Sequence, residues 1–311
     1  MKNYWRLLKN LIFLIVFILV SFFFYKEILR NYDSISSLSF RFNYGFLVLS
    51  VISIASMSFS ATVAWHILIH SFPIEKRLTF SQSFSILNVS AFLKYIPGKV
   101  WTYAIQLYMI RDLCISKYNF FLIFLIINIV SLSIQTALGL FILIFFFSQI
   151  WVKILLLTGC LVFSALSFYV IDVVNIIVRL TNRILKKDFP ALHFPLKKIL
   201  WIQSIYLIAI MLFAVSGYFA AEGIGMSLTF HDALSVIVAG LLSSVIGYVV
   251  VIAPGGLGVR EFVMYWILNS VTNKSMALVL PIATRLLLML VDLIYGILGL
   301  IILRVRRISS G

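Results

Sequence analysis

The chain of 311 residues is 63% hydrophobic and only 11% charged, with a mean hydropathy of +1.12. A soluble domain cannot bury that much apolar surface, so the composition predicts an all-α polytopic membrane protein, and the long apolar runs exclude an outer-membrane β-barrel. The net charge of +15 is explained by Lys and Arg in cytoplasmic loops, and we expect no nucleic-acid partner.

Taken in chain order, the apolar runs predict about six full spans. The basic residues before the first run indicate an uncleaved signal anchor, and the Lys and Arg residues between the fourth and fifth runs mark a cytoplasmic loop. We therefore expect a protein of the cytoplasmic (inner) membrane of a bacterium or archaeon, with both termini in the cytoplasm. The spans are Leu7–Tyr25, Tyr44–Ile69, Tyr118–Phe147, Trp151–Val178, Ile199–Ala221 and Met276–Leu303.

Two further segments, residues 80–112 and 233–268, are each interrupted by a Pro-Gly break. Neither apolar piece of the first segment reaches the roughly 20 residues that a span needs. We interpret both segments as re-entrant helical hairpins. The first is expected to enter the membrane from the cytoplasm and the second from outside.

The two breaks also indicate an internal repeat. Pro254 follows Pro97 by 157 residues (254 minus 97), and the same offset carries residues 118–147 onto 275–304, almost the last span. Residues 1–150 and residues 151–311 each contain, in this order, two spans, a hairpin and a span. The first half starts on the cytoplasmic side of the membrane and the second half on the outer side. Such an inverted-topology repeat is typical of transporters whose midplane site is built by broken helices.

The second break carries residue types suited to binding an anion. Glycines let the backbone approach a ligand closely, and a helix that starts inside the membrane favours negative charge at its N-terminus. An arginine fork is suited to a phosphate or carboxylate, and a neighbouring glutamate can orient it or bind a proton or cation. The alternative is a hairpin turn closed by a local ion pair. The candidate residues are Pro254, Gly255, Gly256, Gly258, Arg260 and Glu261.

The first break and the last span supply further candidates. In the first break, lysines flank a Pro-Gly pair and are suited to an anionic head group, or else they snorkel to the interface. In the last span, Arg285 and Asp292 are two helical turns apart and share a face, which should point into the protein as a site or as ion pairs with other helices. The candidates of the first break are Lys94, Pro97, Gly98 and Lys99.

No sequence pattern of an enzyme is found. The chain has no nucleophile elbow, P-loop or His-rich metal motif. The first outer loop offers only Glu27 and Asp33, whereas membrane glycosyltransferases usually need acidic residues there. We therefore expect no catalytic residue, no metal and no cofactor, and coupling to ATP within this chain is excluded.

The stretch Ala253–Glu261, APGGLGVRE, resembles the signature of the lysylphosphatidylglycerol synthase transmembrane-region family, and Tyr95–Lys99, YIPGK, is similar to that family's earlier Pro-Gly element. The resemblance implies a membrane module linked to lipid flipping or to the assembly of envelope polysaccharide and glycolipid. The family's namesake also has a soluble aminoacyl-transferring domain, which this sequence lacks, so aminoacyl transfer is not expected here.

Three functions follow as hypotheses. The first is a flippase or transporter for an anionic phospholipid or a polyprenyl-phosphate-linked glycan in cell-envelope assembly. The second is a non-catalytic membrane partner that anchors glycosyltransferases of the same pathway through its basic loop. The third is a membrane glycosyl or phospho-group transferase, against which the missing acidic motif argues.

Overall fold

The structure, a computed structural model, describes residues 25, 26, 29, 41–74, 77–92, 94, 100–110, 115–250, 254–272 and 274–309. These residues are predominantly helical and contain no strand, which confirms the predicted all-α fold. The first predicted span, apart from Tyr25, lies outside the described residues, and so do Pro97, Gly98 and Lys99. The helices, numbered here in chain order, are α1 (Tyr44–Ile69), α2 (Phe80–Phe92), α3 (Val100–Met109), α4 (Lys117–Leu143), α5 (Ile150–Phe168), α6 (Val170–Leu185), α7 (Leu196–Gly223), α8 (Phe230–Val249), α9 (Val259–Val271) and α10 (Lys274–Ser309).

Six of the described helices are long and apolar enough to cross a membrane: α1, α4, α5, α7, α8 and α10. The sequence predicted α8 as half of a hairpin, but its 20 residues span about 30 Å, the thickness of a bilayer core. By contrast, α2, α3 and α9 have 13, 10 and 13 residues and are too short to cross. The lengths therefore fit a hairpin for α2 and α3, whereas α8 is long enough to span by itself.

The predicted span 151–178 is two helices in the structure. The helix breaks at Tyr169, whose backbone lies outside the helical region, and α6 follows α5 with a strongly amphipathic sequence. Val170, Val174 and Val178 are buried on one face of α6, at the spacing of helical turns. Neither a proline nor a glycine lies next to Tyr169, so those residues do not signal this break in the sequence.

The helices α1 and α7 pack along much of their length. The Ser50 hydroxyl on α1 donates to the Ser216 carbonyl of α7 at 2.9 Å, and a Cβ on Gly223 would lie 2.6 Å from a methyl of Leu47. Small residues at such contacts let membrane helices approach closely. This pair joins the first half of the described chain to the second.

The two broken segments pack against long helices of the opposite half. Helix α2 lies on α10, and α8 lies on α4. Gly296 and Gly299 of α10 face Phe92 and Ser85 of α2, where a Cβ on either glycine would be about 3 Å from the neighbour. This exchange of partners brings the ends of α2 and α8, and so the two breaks, toward each other.

Candidate functional site

The second break is a tight turn between α8 and α9. After α8 ends at Val249, a 3-10 turn over Pro254–Gly256 leads to the start of α9 at Val259. Gly255, Gly256 and Gly258 have φ of 56°, 71° and 81°, a region that residues with a side chain rarely adopt. Gly256 is needed for space as well, since a Cβ there would lie 3.0 Å from the Gly247 carbonyl oxygen.

Glu261 closes the start of α9. One carboxylate oxygen accepts the Gly258 N–H at 2.7 Å, and the other lies 3.3 Å from Arg285 Nε. Because an anion is favoured at a helix N-terminus, the glutamate of the protein itself takes the place expected for a ligand at this N–H. The carboxylate thus faces Arg285, not the adjacent Arg260 as the sequence suggested.

Helix α10 ties both breaks together. The Arg285 guanidinium donates to the Gly255 carbonyl of the second break at 3.0 Å. Two turns later, Asp292 lies 2.7 Å from Lys94 Nζ of the first break. Arg285 and Asp292 are both 7% exposed, which confirms that their shared face points into the protein.

The two breaks meet in space. A Cβ on Gly255 would lie 3.4 Å from the Lys94 carbonyl oxygen and 3.6 Å from Lys94 Cγ, so the backbone turn of the second break is in reach of the first. Lys94 itself is the described residue of the first break, between α2 and α3. The sequence predicted a polar site at each break, but it could not show that the two breaks form a single site.

A cavity of about 630 Å³ opens at this meeting point. Its volume lies within the range of small-molecule sites. Three cations line it, namely Lys94, Arg260 and Arg285. The remaining wall is largely apolar and aromatic, and includes Tyr103, Phe121, Phe124 and Tyr248.

A smaller cavity of about 260 Å³ adjoins the first and shares with it Lys94, Ser244 and Arg260. Arg260 therefore stands at the boundary between the two. Its guanidinium lies over the ring of Phe213, 4.9 Å from the centroid, within the range of a cation–π contact. Asp292 lines the smaller cavity only.

Charged side chains of the described residues gather where the two breaks meet. Among the described residues, Lys94, Arg260 and Arg285 face Glu261 and Asp292, so three cations meet two carboxylates. Burying ionic groups in a membrane protein is costly, so the excess of one cation among the described residues is suited to an anion. The described residues hold no cluster of three His, Cys, Asp or Glu that suits a metal.

Sequence reasoning missed three residues that shape this site. Phe213 lies on α7, Gly247 is where α8 meets Gly256 and Arg260, and the Tyr248 hydroxyl donates to the Asn128 side chain of α4. Phe213 and Tyr248 act through contacts with helices far apart in the chain, and Gly247 acts through a close approach to the break that follows its own helix. An isolated phenylalanine or glycine within an apolar run gives no signal of such a contact.

The profile of the family described as the lysylphosphatidylglycerol synthase TM region matches residues 8–296. The chain belongs to this family. The match includes both breaks and the part of α10 that carries Arg285 and Asp292. None of the curated proteins compared matches the chain. Together with the six long apolar helices, the family makes this a multi-pass membrane protein and relates it to lipid or envelope processes.

Proposed function

We propose that the protein is a lipid flippase or transporter that moves an anionic or polyprenyl-phosphate-linked lipid in cell-envelope assembly. The observation that carries the proposal is the cavity where two helix breaks meet, lined by Lys94, Arg260 and Arg285. Phosphate is suited to this wall because Arg offers a fixed fork of donors and stays charged. The aromatic part of the wall suits the first segments of an apolar tail.

The proposed architecture is an inverted-topology repeat with two re-entrant hairpins in the inner membrane and both termini in the cytoplasm. Helix α8 ends 157 residues after α2 (249 against 92), and α10 begins 157 residues after α4 (274 against 117). A two-fold operation that exchanges the halves would also carry the packing of α2 on α10 onto that of α8 on α4. Both observations support this repeat, which is the architecture of many alternating-access transporters.

In this mechanism Arg260 binds the phosphate, and rocking of the halves exposes the cavity to each side in turn. The Lys94–Asp292 pair, 2.7 Å apart, joins the two proposed halves and must separate as they move. The Arg285–Glu261 pair lies within the second half. It therefore holds the second break together through the cycle.

The test is transport in proteoliposomes. The purified chain is reconstituted with a labelled anionic lipid, and the label exposed on the far leaflet is followed with time. Arg260→Met is expected to abolish transport, Arg260→Lys to reduce it, and Arg183→Met, on the exposed face of α6, to leave it unchanged. Wild-type rates in a folded Arg260→Met protein would overturn the proposal.

The second candidate, a membrane partner of envelope glycosyltransferases, is favoured by the exposed basic residues of α6, of the segment after it and of the first turn of α7. Arg179, Arg183, Lys186, Lys187 and Lys197 are all exposed. Neutralising them should abolish binding of such an enzyme while Arg260→Met leaves it intact. We propose that the protein is not a glycosyl or phospho-group transferase. If the purified chain alone transfers a labelled sugar to a lipid, this part of the proposal is wrong.

A further inference from the structure

The smaller cavity is lined by several polar side chains. We call it the hydroxyl chamber and define it by Ser58, Gln135, Tyr206, Ser244 and Arg260. Tyr206 is only 6% exposed, yet within the described residues its hydroxyl makes no hydrogen bond. The hydroxyls of Ser58 and Ser244, which are only half-buried, make none within the described residues either, and Gln135 Oε1 is buried without a partner.

This arrangement is unusual for helices in a membrane. Serine and threonine hydroxyls on helices commonly donate to the carbonyl one turn earlier, as those of Ser85 and Thr136 do here at 2.8 Å. A buried hydroxyl or amide without a partner costs roughly 1–3 kcal/mol, and buried tyrosine hydroxyls usually have one. The chamber thus collects three hydroxyls and one amide oxygen without a protein partner among the described residues, which favours a polar occupant.

The electrostatics of the chamber define the class of that occupant. Asp292 is its acidic residue among those described, and it is paired with Lys94 at 2.7 Å. A cationic head group would have to compete with Lys94 for this carboxylate. A neutral group with many hydroxyls would instead match the donors and acceptors of the chamber, and Arg260 at the boundary would meet its phosphate.

We propose that the hydroxyl chamber binds the neutral, hydroxyl-rich part of a lipid head group, such as a sugar or glycerol, joined to the phosphate at Arg260. This rests on the proposed function, since it assumes that the cavity takes a lipid phosphate. It adds a choice among lipids: polyol head groups are preferred over bare phosphates and over cationic aminoacyl head groups. The larger, aromatic cavity then holds the start of the tail.

The test is binding of five lipids to the purified full chain in detergent. Two matched pairs separate the two sources of a polyol: a polyprenyl monophosphate with and without one hexose, and phosphatidylglycerol against phosphatidic acid. Lysyl-phosphatidylglycerol is the cationic comparison. In at least one pair we expect the polyol to tighten binding by about tenfold or more, the sum of several neutral hydrogen bonds.

The matched variants are Tyr206→Phe and Tyr218→Phe, both on α7, of which only Tyr206 lines the chamber. Tyr206→Phe should weaken binding of the polyol lipid roughly 2- to 10-fold, the worth of one neutral hydrogen bond, and leave the bare phosphate unchanged. Because the hydroxyl has no protein partner among the described residues, the variant should be at least as stable as the wild type. Tyr218→Phe should change neither affinity.

The outcomes separate this inference from the proposed function. If the bare phosphates bind but no polyol adds affinity, or if lysyl-phosphatidylglycerol binds more tightly than phosphatidylglycerol, the inference is overturned and the chamber holds water only. The inference is also overturned if Tyr206→Phe weakens binding of the polyol lipid and of its bare phosphate by the same factor. If the wild type binds none of the lipids, the proposed function fails and the inference fails with it.

Discussion

Neutralising Arg285 is the perturbation that tests most directly how the second break is held. Arg285 lies between Glu261, 3.3 Å from Nε, and the Gly255 carbonyl, 3.0 Å from Nη2. Arg285→Met removes the cation but keeps a long apolar side chain. It leaves the carboxylate of Glu261, which is 9% exposed, without that cation inside the protein.

Breaking a buried ion pair from one side costs about 3–5 kcal/mol, because the other charge stays buried. We expect a loss of this size in the free energy of unfolding for Arg285→Met. Glu261→Gln should lose a comparable amount by leaving Arg285 buried. The double variant removes both charges, and the amide oxygen of the glutamine can still accept the Gly258 N–H. Its free energy of unfolding should therefore fall by less, about 1–2 kcal/mol, for the hydrogen bonds of Arg285 that are lost.

The assay is reversible unfolding in mixed micelles with increasing sodium dodecyl sulfate, followed by helicity. The four proteins form a double-mutant cycle whose coupling energy is the quantity of interest. Arg183→Met is the control for loss of an exposed arginine and should stay within about 0.5 kcal/mol of the wild type. If the losses of the two single variants simply add in the double variant, the ion pair does not hold the break and the reasoning is wrong.

Two further predictions concern the second break. Gly256→Ala should destabilise the protein by about 2 kcal/mol or more in the same assay, because φ is 71° and the new Cβ would lie 3.0 Å from the Gly247 carbonyl oxygen. Gly240→Ala is the control, since nothing lies within 4 Å of the added Cβ, and it should be neutral or stabilising. The second prediction concerns the sidedness of the hairpin formed by α8 and α9. In a background without native cysteines, a membrane-impermeant thiol reagent should label Ser227→Cys and Ser270→Cys from outside and Lys197→Cys from the cytoplasm. If Ser227→Cys and Ser270→Cys are labelled from opposite sides, α8 crosses the membrane and the hairpin is wrong.

The family and the helical fold could be predicted from sequence because both depend on local signals. Apolar runs near the length of a bilayer predict spans, and the glycines around Arg260 and Glu261 carry the resemblance to the family. The spacing of Arg285 and Asp292 was enough to place them on one buried face, which the structure confirms. Periodicity is a property of one helix and needs no knowledge of the others.

The rest depends on contacts between distant segments. Asp292 meets Lys94 across 198 residues (292 minus 94), and Arg260 meets Phe213 from another helix. The hydroxyl chamber draws Ser58, Gln135 and Ser244 from three different helices. Single serines and glutamines in apolar runs are common interhelical hydrogen-bonders, so no pattern in the sequence distinguishes the ones that face a cavity.

The charges explain why α10 has to connect the two breaks. A broken helix in a membrane exposes backbone groups that must be satisfied inside the protein, and Arg285 does this for Gly255 while Asp292 holds Lys94. Each break thus receives from α10 a charge opposite to one that it carries, which makes burial of Glu261 and Lys94 less costly. Arg260 adds a further positive charge at the boundary of the two cavities. Under the proposed function, a phosphate monoanion bound there would bring the three cations and two carboxylates of the described site to neutrality. Binding of the lipid would then be coupled to the stability of the broken helices through the same balance of charge.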